Sequence, residues 1–400
     1  MTPATSASAP LRPRLPRRRT RSAPDGVLRM RSTARAVIDC DTEEGQMQNS
    51  RLSADAAHPL DGLRAAGPIA EARAQTLARD YYGLAAEIRR LDSERDQNFR
   101  LRTQNEGEYV LKIANPAEDR AVTNLQTEAL RHIADRDPLL PIPRVIPAQD
   151  GAAELEIGFD DGSMRVVRLL SFLAGTPMNQ APPSATLRGD VGRCAARLAL
   201  ALRDFVHPAA DHKLLWDIQH AAELRPLLGA VPSAQRELVE RVLDYFEADA
   251  VPVLAQLPKQ LLHNDLNPHN ILVDTASQAR VCGIIDFGDM TATARINDLA
   301  IAAAYQVTDS DDPLASALDL VGAYHAVSPL EARERGILFD LIATRMVMTI
   351  VISNIRAARY PENSAYILRN NKQASARLAR IATLTRTQAA QQIERACQGE

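Results

Sequence analysis

The feature that most constrains the fold is a set of three short apolar runs whose connecting and flanking segments are polar. The runs lie at 260–263, 271–274 and 281–286, and their length is typical of buried strands. A polar segment at 263–270 connects the first two, and Asp286 ends the third. A loop between two such strands and the end of the next strand can face each other. We therefore expect polar side chains from both segments to converge.

The residue types in these segments fit phosphoryl transfer to an alcohol. That reaction needs a carboxylate to orient the hydroxyl and accept its proton, and oxygen ligands for the Mg²⁺ that bridges the phosphates. Asp265 precedes Asn270 by five positions and can be the base, while Asn270 and Asp286 can hold the metal. His263 is a second catalytic candidate, which either braces the loop through a hydrogen bond or takes part in acid–base chemistry.

The chain before residue 171 predicts a small antiparallel sheet with one inserted helix. Asp160-Asp161-Gly162 predicts a tight hairpin turn between the last two strands. The predicted strands are 85–91, 98–103, 108–113, 154–159 and 164–170, and the predicted helices are 70–82 and 123–135.

After Gly175 the pattern becomes mostly helical. Ser184 is a predicted N-cap, and apolar residues then recur at helical spacing as far as Phe205. Further helices are predicted at 233–249 and from Asn297 onward. The predicted organisation is an N-terminal lobe at 51–170 and a helical C-terminal lobe at 171–400, in the α+β class.

The first 50 residues form a separate segment that is rich in Arg, Pro and Ser. Such a composition buries too little apolar surface to order itself, so the segment is predicted to be disordered. Residues 1–46 are alternatively a transit segment or an upstream extension, with Met47 as the true start.

Charge and cysteine content narrow the function classes. A formal net charge of −3 favours neither nucleic acid nor an anionic membrane as a partner. The four cysteines are far apart, which predicts a reduced, cytoplasmic setting. The most apolar stretch, 336–355, contains Asp340 and Arg345, so a buried core helix is a better interpretation than a membrane span.

Two motifs in the chain resemble a known family. HxDxxxxN at 263–270 followed by IDFGD at 285–289 resembles the aminoglycoside phosphotransferase and choline kinase family, a relative of the protein kinases. Residues 91–99 with 109–116 are similar to the hydroxylysine kinase branch and to kinase domains fused to class III aminotransferases. The resemblance covers about 75–385 and implies a two-lobed, protein kinase-like fold.

The resemblance also assigns roles. Asp265 would be the base, Asn270 and Asp286 would hold Mg²⁺, and Lys112 would neutralise phosphates while Glu128 holds it in place. Lysine is rare here, at four of 47 basic residues, which supports a specific need for an ammonium group at position 112.

Other parts of the nucleotide site depart from the protein kinases. No GxGxxG is present, so Ser93, Arg95 and Asn98 would replace the glycine-rich loop. The hinge that binds the base would lie at 170–173, with Leu170 and Phe172, and the donor is ATP or GTP.

Two further features of the catalytic segment follow from the resemblance. Asp298 matches a family residue that braces the catalytic loop. Many relatives carry Gly where Asn264 and His269 stand, and neither change removes a metal ligand.

The implied acceptor is a small amino alcohol or hydroxy amino acid, with 5-hydroxylysine first; homoserine, choline, ethanolamine or an aminoglycoside are alternatives. A functional link to a PLP-dependent aminotransferase or lyase is also implied. An amine-bearing acceptor would need carboxylates or aromatic faces, for which the candidates are Trp216, Asp217, Asp289, Tyr305 and Tyr324.

Two other classes of protein fit the sequence less well. A protein kinase needs a long activation segment, but only twelve positions separate Asp286 from Asp298 and no Ala-Pro-Glu motif follows. An inactive nucleotide-binding regulator would usually have lost one of four residue types, and Lys112, Asp265, Asn270 and Asp286 are all present.

Overall fold

The structure is a computed structural model that describes residues 67–93, 95–105 and 107–399. The segment predicted to be disordered, 1–50, lies outside the described residues, as does the start of the predicted N-terminal lobe.

The first lobe is one antiparallel sheet with a helix before it and another inserted in it. The sheet order is β1-β2-β3-β6-β4, and β5 also pairs with β6. The predicted hairpin turn at 160–162 connects β5 and β6. The elements are α1 (Glu71–Tyr82), β1 (Ala86–Leu91), β2 (Gln97–Thr103), β3 (Glu108–Ile113), α2 (Arg120–Arg136), β4 (Val145–Ile146), β5 (Leu155–Gly158) and β6 (Met164–Ser171).

Strand alternation builds the core of this lobe. In β2, Phe99 and Leu101 are fully buried, while the arginines between and after them point to the other face. Leu111 and Ile113 of β3 are buried in the same cluster. The two-residue β4 was not predicted, because so short a strand has no periodicity to detect.

Helix α2 begins three residues before its predicted start. The Asp119 carboxylate accepts a hydrogen bond from the Ala121 amide at 2.8 Å and caps the first turn. The apolar face of α2, including Leu125, Leu130 and Ile133, packs in the core of the second lobe and not in the core of the sheet.

The second lobe is mainly helical. Ser184 caps α3 as predicted, by accepting from the Leu187 amide at 3.1 Å, but the helix ends at Ala201 and not at Phe205. A 3₁₀ segment covers 218–230, and a π-helical turn at 246–250 joins α4 to α5. The helices are α3 (Ala185–Ala201), α4 (Ser233–Tyr245), α5 (Val251–Leu254), α6 (Ile296–Ala304), α7 (Ala315–Val327), α8 (Ala332–Arg359), α9 (Ser364–Ile367), α10 (Asn371–Ile381) and α11 (Arg386–Gln398).

Helix α8 contains the most apolar stretch of the sequence. In the described part of the chain it is the one helix long and apolar enough to cross a membrane, but 89% of its apolar window is buried inside the protein. Helix α8 is therefore a buried core helix, which confirms the prediction made from the charges inside it.

Short strands position the polar segments. The three predicted strands are present, but they fall in two sheets: β9 and β10 with β7, and β8 with the unpredicted β11. The polar segment 263–270 connects β8 to β9, and Asp286 follows β10 by two residues. The strands are β7 (Thr176–Pro177), β8 (Lys259–Leu262), β9 (Ile271–Val273), β10 (Val281–Ile284) and β11 (Thr291–Ala294).

Candidate active site

The loop 263–270 is held in place by a buried carboxylate. Asp298, near the start of α6, accepts hydrogen bonds from the His263 and Asn264 amides at 3.1 and 2.7 Å. The structure thus shows the bracing contacts expected of Asp298. Asn264 has φ of +63°, a conformation that Gly adopts freely and Asn tolerates. This explains why either residue suits the position.

His263 braces the same loop from inside. Its Nε2 lies 3.0 Å from the Ile285 carbonyl, which can only accept, while its Nδ1 accepts from the Asp265 amide at 3.3 Å. The ring packs edge-on against Phe287, with 4.7 Å between ring centroids. Both nitrogens are therefore occupied by the backbone. This contradicts a direct acid–base role for His263 and leaves the bracing interpretation.

Asp265 is surrounded by donors. Its Oδ2 accepts from the Asn267 and Asn270 amides at 2.7 and 2.8 Å, and its Oδ1 accepts from Arg345 Nη2 at 3.0 Å. Burial raises the pKa of the Asp265 carboxyl above its ordinary value, and the Arg345 guanidinium opposes that increase. The three hydrogen bonds thus fix the direction of the Asp265 carboxylate, and the buried Arg345 guanidinium favours its ionised form.

The two proposed metal ligands lie on adjoining backbone. The Asn270 side-chain amide donates to Asp265, which leaves its Oδ1 oxygen for another partner. The Ile285 amide donates a hydrogen bond to the Asn270 carbonyl at 2.9 Å. The exposed Asp286 is the next residue after Ile285, so its backbone lies beside that of Asn270. Asp286 has φ of +64°, and a Cβ at Gly288 would lie 3.2 Å from its Oδ1.

This donor set fits Mg²⁺ carried by phosphates. Among the described residues, no cluster of three His, Cys, Asp or Glu side chains could hold a metal by itself. Mg²⁺ commonly takes only one or two protein carboxylates and completes its octahedron with phosphate oxygens and water. One amide oxygen from Asn270 and one carboxylate from Asp286 match that pattern.

Lys112 has a different partner from the one predicted. Its Nζ lies 2.9 Å from Asp96 Oδ2, and both side chains are mostly buried. Burial tends to raise the pKa of Asp96, but Lys112 and the Asn115 amide outweigh it, so the pKa is lowered. The β1–β2 loop therefore supplies the acid that holds this ammonium group.

The predicted Lys112–Glu128 pair is wrong. Glu128 lies on the outer side of α2 and pairs with Arg131 at 2.9 Å. Successive helical residues are about 100° apart, so the face towards the sheet carries Gln126 and Thr127 and turns Glu128 outward.

Arg168 is a second buried cation of the sheet, and it contacts α2. It lies opposite Lys112 in the β3–β6 register and is almost fully buried. Its guanidinium donates to Gln126 Oε1 at 2.9 Å and to Thr127 Oγ1 at 3.3 Å. Burial lowers the pKa of Arg168. A charged residue inside an apolar strand was the signal for this contact, and sequence reasoning missed it.

The predicted phosphate loop is only partly as expected. Arg95 pairs with Asp289 at 2.9 Å, which connects the β1–β2 loop to the segment after Asp286. Ser93 is exposed in that loop, whereas Asn98 lies within β2, opposite Lys112. Asp289 thus already has a cationic partner.

The predicted hinge needs a correction at one residue. Leu170 lies in β6, where it is paired with Val110 of β3 and Val145 of β4. The Phe172 amide, however, donates to the Glu108 carbonyl at 3.0 Å, and its ring packs against Arg100. This amide is therefore used by the sheet and is not available to a nucleotide base.

Two acceptor candidates are wrong because they belong to the core. Asp217 is fully buried and accepts from the Gln219 amide at 3.1 Å, as the N-cap of a 3₁₀ segment. Tyr324 is fully buried on α7. Neither side chain can reach a soluble acceptor.

Arg345 connects the remaining candidates to Asp265. It donates to the Trp216 carbonyl at 3.0 Å, and its guanidinium carbon lies 5.0 Å from the centre of that indole ring. Burial opposes the charged form of the same guanidinium, and the nearby Tyr305 hydroxyl favours it, so that the pKa of Arg345 is raised. Sequence reasoning missed Arg345 as a functional residue, although a lone arginine inside an apolar helix was a signal for it.

Comparisons with known proteins identify the family of this chain. Residues 87–337 match the Phosphotransferase enzyme family. Hydroxylysine kinase of Mus musculus is 30% identical over 322 residues, which are 74% of this chain and 85% of that protein. Homoserine kinase of Cupriavidus pinatubonensis is 30% identical over 279 residues, 64% of this chain and 74% of that protein.

A solved structure supports the fold. A microcompartment-associated aminopropanol kinase aligns with a TM-score of 0.57 at 19% identity, over 77% of this chain and 99% of the other. At that identity the likeness shows the two-lobed fold alone, and the sequence matches above show the family. The chain belongs to the phosphotransferase enzyme family and is a small-molecule kinase that acts on an alcohol group.

Proposed function

We propose that this kinase transfers the γ-phosphate of ATP or GTP, with Mg²⁺, to the hydroxyl of a small hydroxy amino acid or amino alcohol, and that 5-hydroxylysine is the first acceptor to test. The observation that carries the proposal is the convergence of Asp265, Asn270 and the strand end that bears Asp286. The similarity to hydroxylysine kinases over most of both chains supports the choice of acceptor.

Asp265 is the proposed base. Its Oδ1 and Oδ2 are oriented by Arg345 and two amides, so one carboxylate lone pair can point at the acceptor hydroxyl and take its proton during in-line attack. Asn270 and Asp286 would hold Mg²⁺, which supplies neutralisation of phosphate charge when bound.

The small lobe would hold the nucleotide. Lys112, positioned by Asp96, would contact the α- and β-phosphates, and Arg95 lies near enough to Asp286 to assist. The base would bind along 170–173 through groups other than the Phe172 amide. The proposed division is a nucleotide lobe at 51–170 and an acceptor lobe at 171–400.

Some finer expectations rest on sequence and resemblance alone and remain part of this proposal. They are an amine in the acceptor, a cytoplasmic location, and a functional link to a PLP-dependent aminotransferase or lyase.

An acceptor panel with both nucleotides tests the proposal. Nucleoside diphosphate release and the mass of the product would be measured for 5-hydroxylysine, homoserine, choline, ethanolamine, 3-aminopropan-1-ol and an aminoglycoside, each with ATP and with GTP. We expect a phosphorylated product from 5-hydroxylysine with the highest kcat/KM. Homoserine is the second candidate, because homoserine kinases are also related to this chain. Phosphorylation of a different acceptor without 5-hydroxylysine would contradict the choice of substrate.

A further inference from the structure

A small pocket beside the proposed base is lined by two guanidinium groups. It lies between α6, α8 and α10, and its lining includes Tyr305, Arg345, Thr349, Asn370 and Arg377. Arg345 also donates to Asp265 Oδ1 at 3.0 Å, so the pocket begins one side chain away from the base. No carboxylate lines it in the part of the chain that the structure describes.

Arg377 is a cation without an acid. Its Nε donates to the Val307 carbonyl at 3.0 Å, and it forms no ion pair with any acidic side chain among the described residues. Burial lowers the pKa of Arg377, and the nearby Tyr305 hydroxyl only partly opposes this. A partly buried guanidinium without a counter-charge is costly, which makes an anionic ligand favourable at this place.

Arg345 provides the second, independent observation. Its two Nη atoms donate to Asp265 and to the Trp216 carbonyl, but its Nε is buried and has no hydrogen-bond partner among the described residues. A buried N–H without a partner is uncommon in native proteins and is often satisfied by a ligand or a water molecule. Arg345, which lines the pocket, thus has one donor whose partner the described residues do not supply.

We propose that this pocket, which has a volume of only about 10 Å³ and room for little more than one water molecule, widens at Arg377 to bind the carboxylate of the acceptor, an inference that rests on the proposed kinase function. Guanidinium groups prefer carboxylates because their planar N–H donors match the two oxygens. The same positive charge repels an ammonium group. The sequence had suggested Tyr305 as part of a pocket for the amine; the charges beside it now favour the opposite end of the acceptor.

The consequence is a choice of substrate class. A hydroxy amino acid bears the required carboxylate, whereas choline, ethanolamine and simple amino alcohols do not. Since Arg345 contacts both the pocket and Asp265, a bound carboxylate would fix the acceptor a short distance from the base, with its hydroxyl directed to Asp265.

Matched pairs of acceptors test this directly. One pair is 5-hydroxylysine and its decarboxylated form, 1,5-diaminopentan-2-ol; the other is homoserine and 3-aminopropan-1-ol. We expect the wild-type protein to prefer the carboxylated member of the productive pair by about 100-fold in kcat/KM. In Arg377→Gln the KM for that member should rise about 10- to 100-fold, so that the preference largely disappears.

Arg380→Gln is the matched control. Arg380 lies one turn further along α10 and contacts the Ser310 carbonyl and the exposed Asp309, away from the pocket. The preference should persist in this variant. Arg377→Lys should restore part of it, because the charge returns without the planar donors. Thermal melting of each variant would show that the fold is kept.

Failure of this inference is distinct from failure of the proposed function. Equal turnover of both members of each pair, or an equal loss for both in Arg377→Gln, overturns the carboxylate pocket while the kinase function stands. Absence of any phosphorylated product contradicts the kinase proposal. Calorimetric binding of the same pairs then decides the pocket separately: carboxylate-dependent binding that Arg377→Gln weakens supports it, and its absence overturns it.

Discussion

The cations on the two sides of the site differ in their partners. On the side where we propose that the nucleotide binds, Lys112 lies beside Asp96 and Arg95 beside Asp289, each at 2.9 Å. On the side where we propose that the acceptor binds, Arg345 contacts Asp265, but Arg377 has no acidic partner among the described residues. Paired cations are oriented before any ligand arrives, while an unpaired one gains most when an anion binds. The difference suggests that a bound phosphate would replace the acidic partners of Lys112 and Arg95. A bound acceptor would instead give Arg377 an anionic partner that the described residues do not supply.

The largest expected effect comes from removing the negative charge of Asp265, the proposed base. Asp265→Asn should lower kcat by about 10³-fold, because the amide cannot accept the hydroxyl proton. Nucleotide affinity should change little, since the paired cations remain. Initial rates and calorimetric nucleotide binding would measure both.

The control for that variant is Asp211→Asn, whose carboxylate is 84% exposed and 3.9 Å from Lys259. Turnover by Asp265→Asn above about a tenth of wild type would contradict the base assignment.

A smaller effect is expected on the pH dependence of kcat/KM, which tests the contact between Arg345 and Asp265. Burial raises the pKa of Asp265, and Arg345 lowers it. The base works only when ionised, so kcat/KM should fall as pH falls through a value above the ordinary 3.8. Arg345→Gln removes the lowering influence, so the acid limb should move up by about one to two pH units. A pH–rate profile whose acid limb stays in place or moves down would show that Arg345 does not set this ionisation.

The smallest effect tests the nucleotide side. Asp96→Asn should raise the KM for the nucleotide by about 10-fold, because Lys112 loses the charge that orients it. Glu128→Gln should change it by less than about twofold, since that carboxylate only pairs with exposed Arg131. Nucleotide titrations of the two variants would measure the contrast. A larger effect from Glu128→Gln would restore the partner that sequence reasoning chose.

The sequence predicted those features of the fold and the site that depend on residues close together in the chain. The pattern from His263 to Asn270 is a local spacing, and the apolar runs around it fixed which loop would carry it. Five of the six strands of the first lobe followed from alternation in the same way, and the cap of α3 followed from Ser184.

The sequence did not predict partners that depend on register or on packing between lobes. Asp96 reaches Lys112 because β2 and β3 pair with Asn98 opposite Lys112, and no local pattern encodes that alignment. Arg345 meets Asp265 across 80 positions of chain. Such contacts follow from the tertiary fold, so the partners of both cations became visible only in the structure.

The placement of α2 has a consequence for how the cleft can open. Its apolar face, with Leu125 and Ile133, is part of the helical lobe's core, whereas Arg168 of the sheet donates to Gln126 on the same helix. An opening motion that preserves that core must carry α2 along with the large lobe and shear the sheet across it. The surface that slides would then be this guanidinium–amide contact, on the strand next to the lysine that is proposed to bind the phosphates.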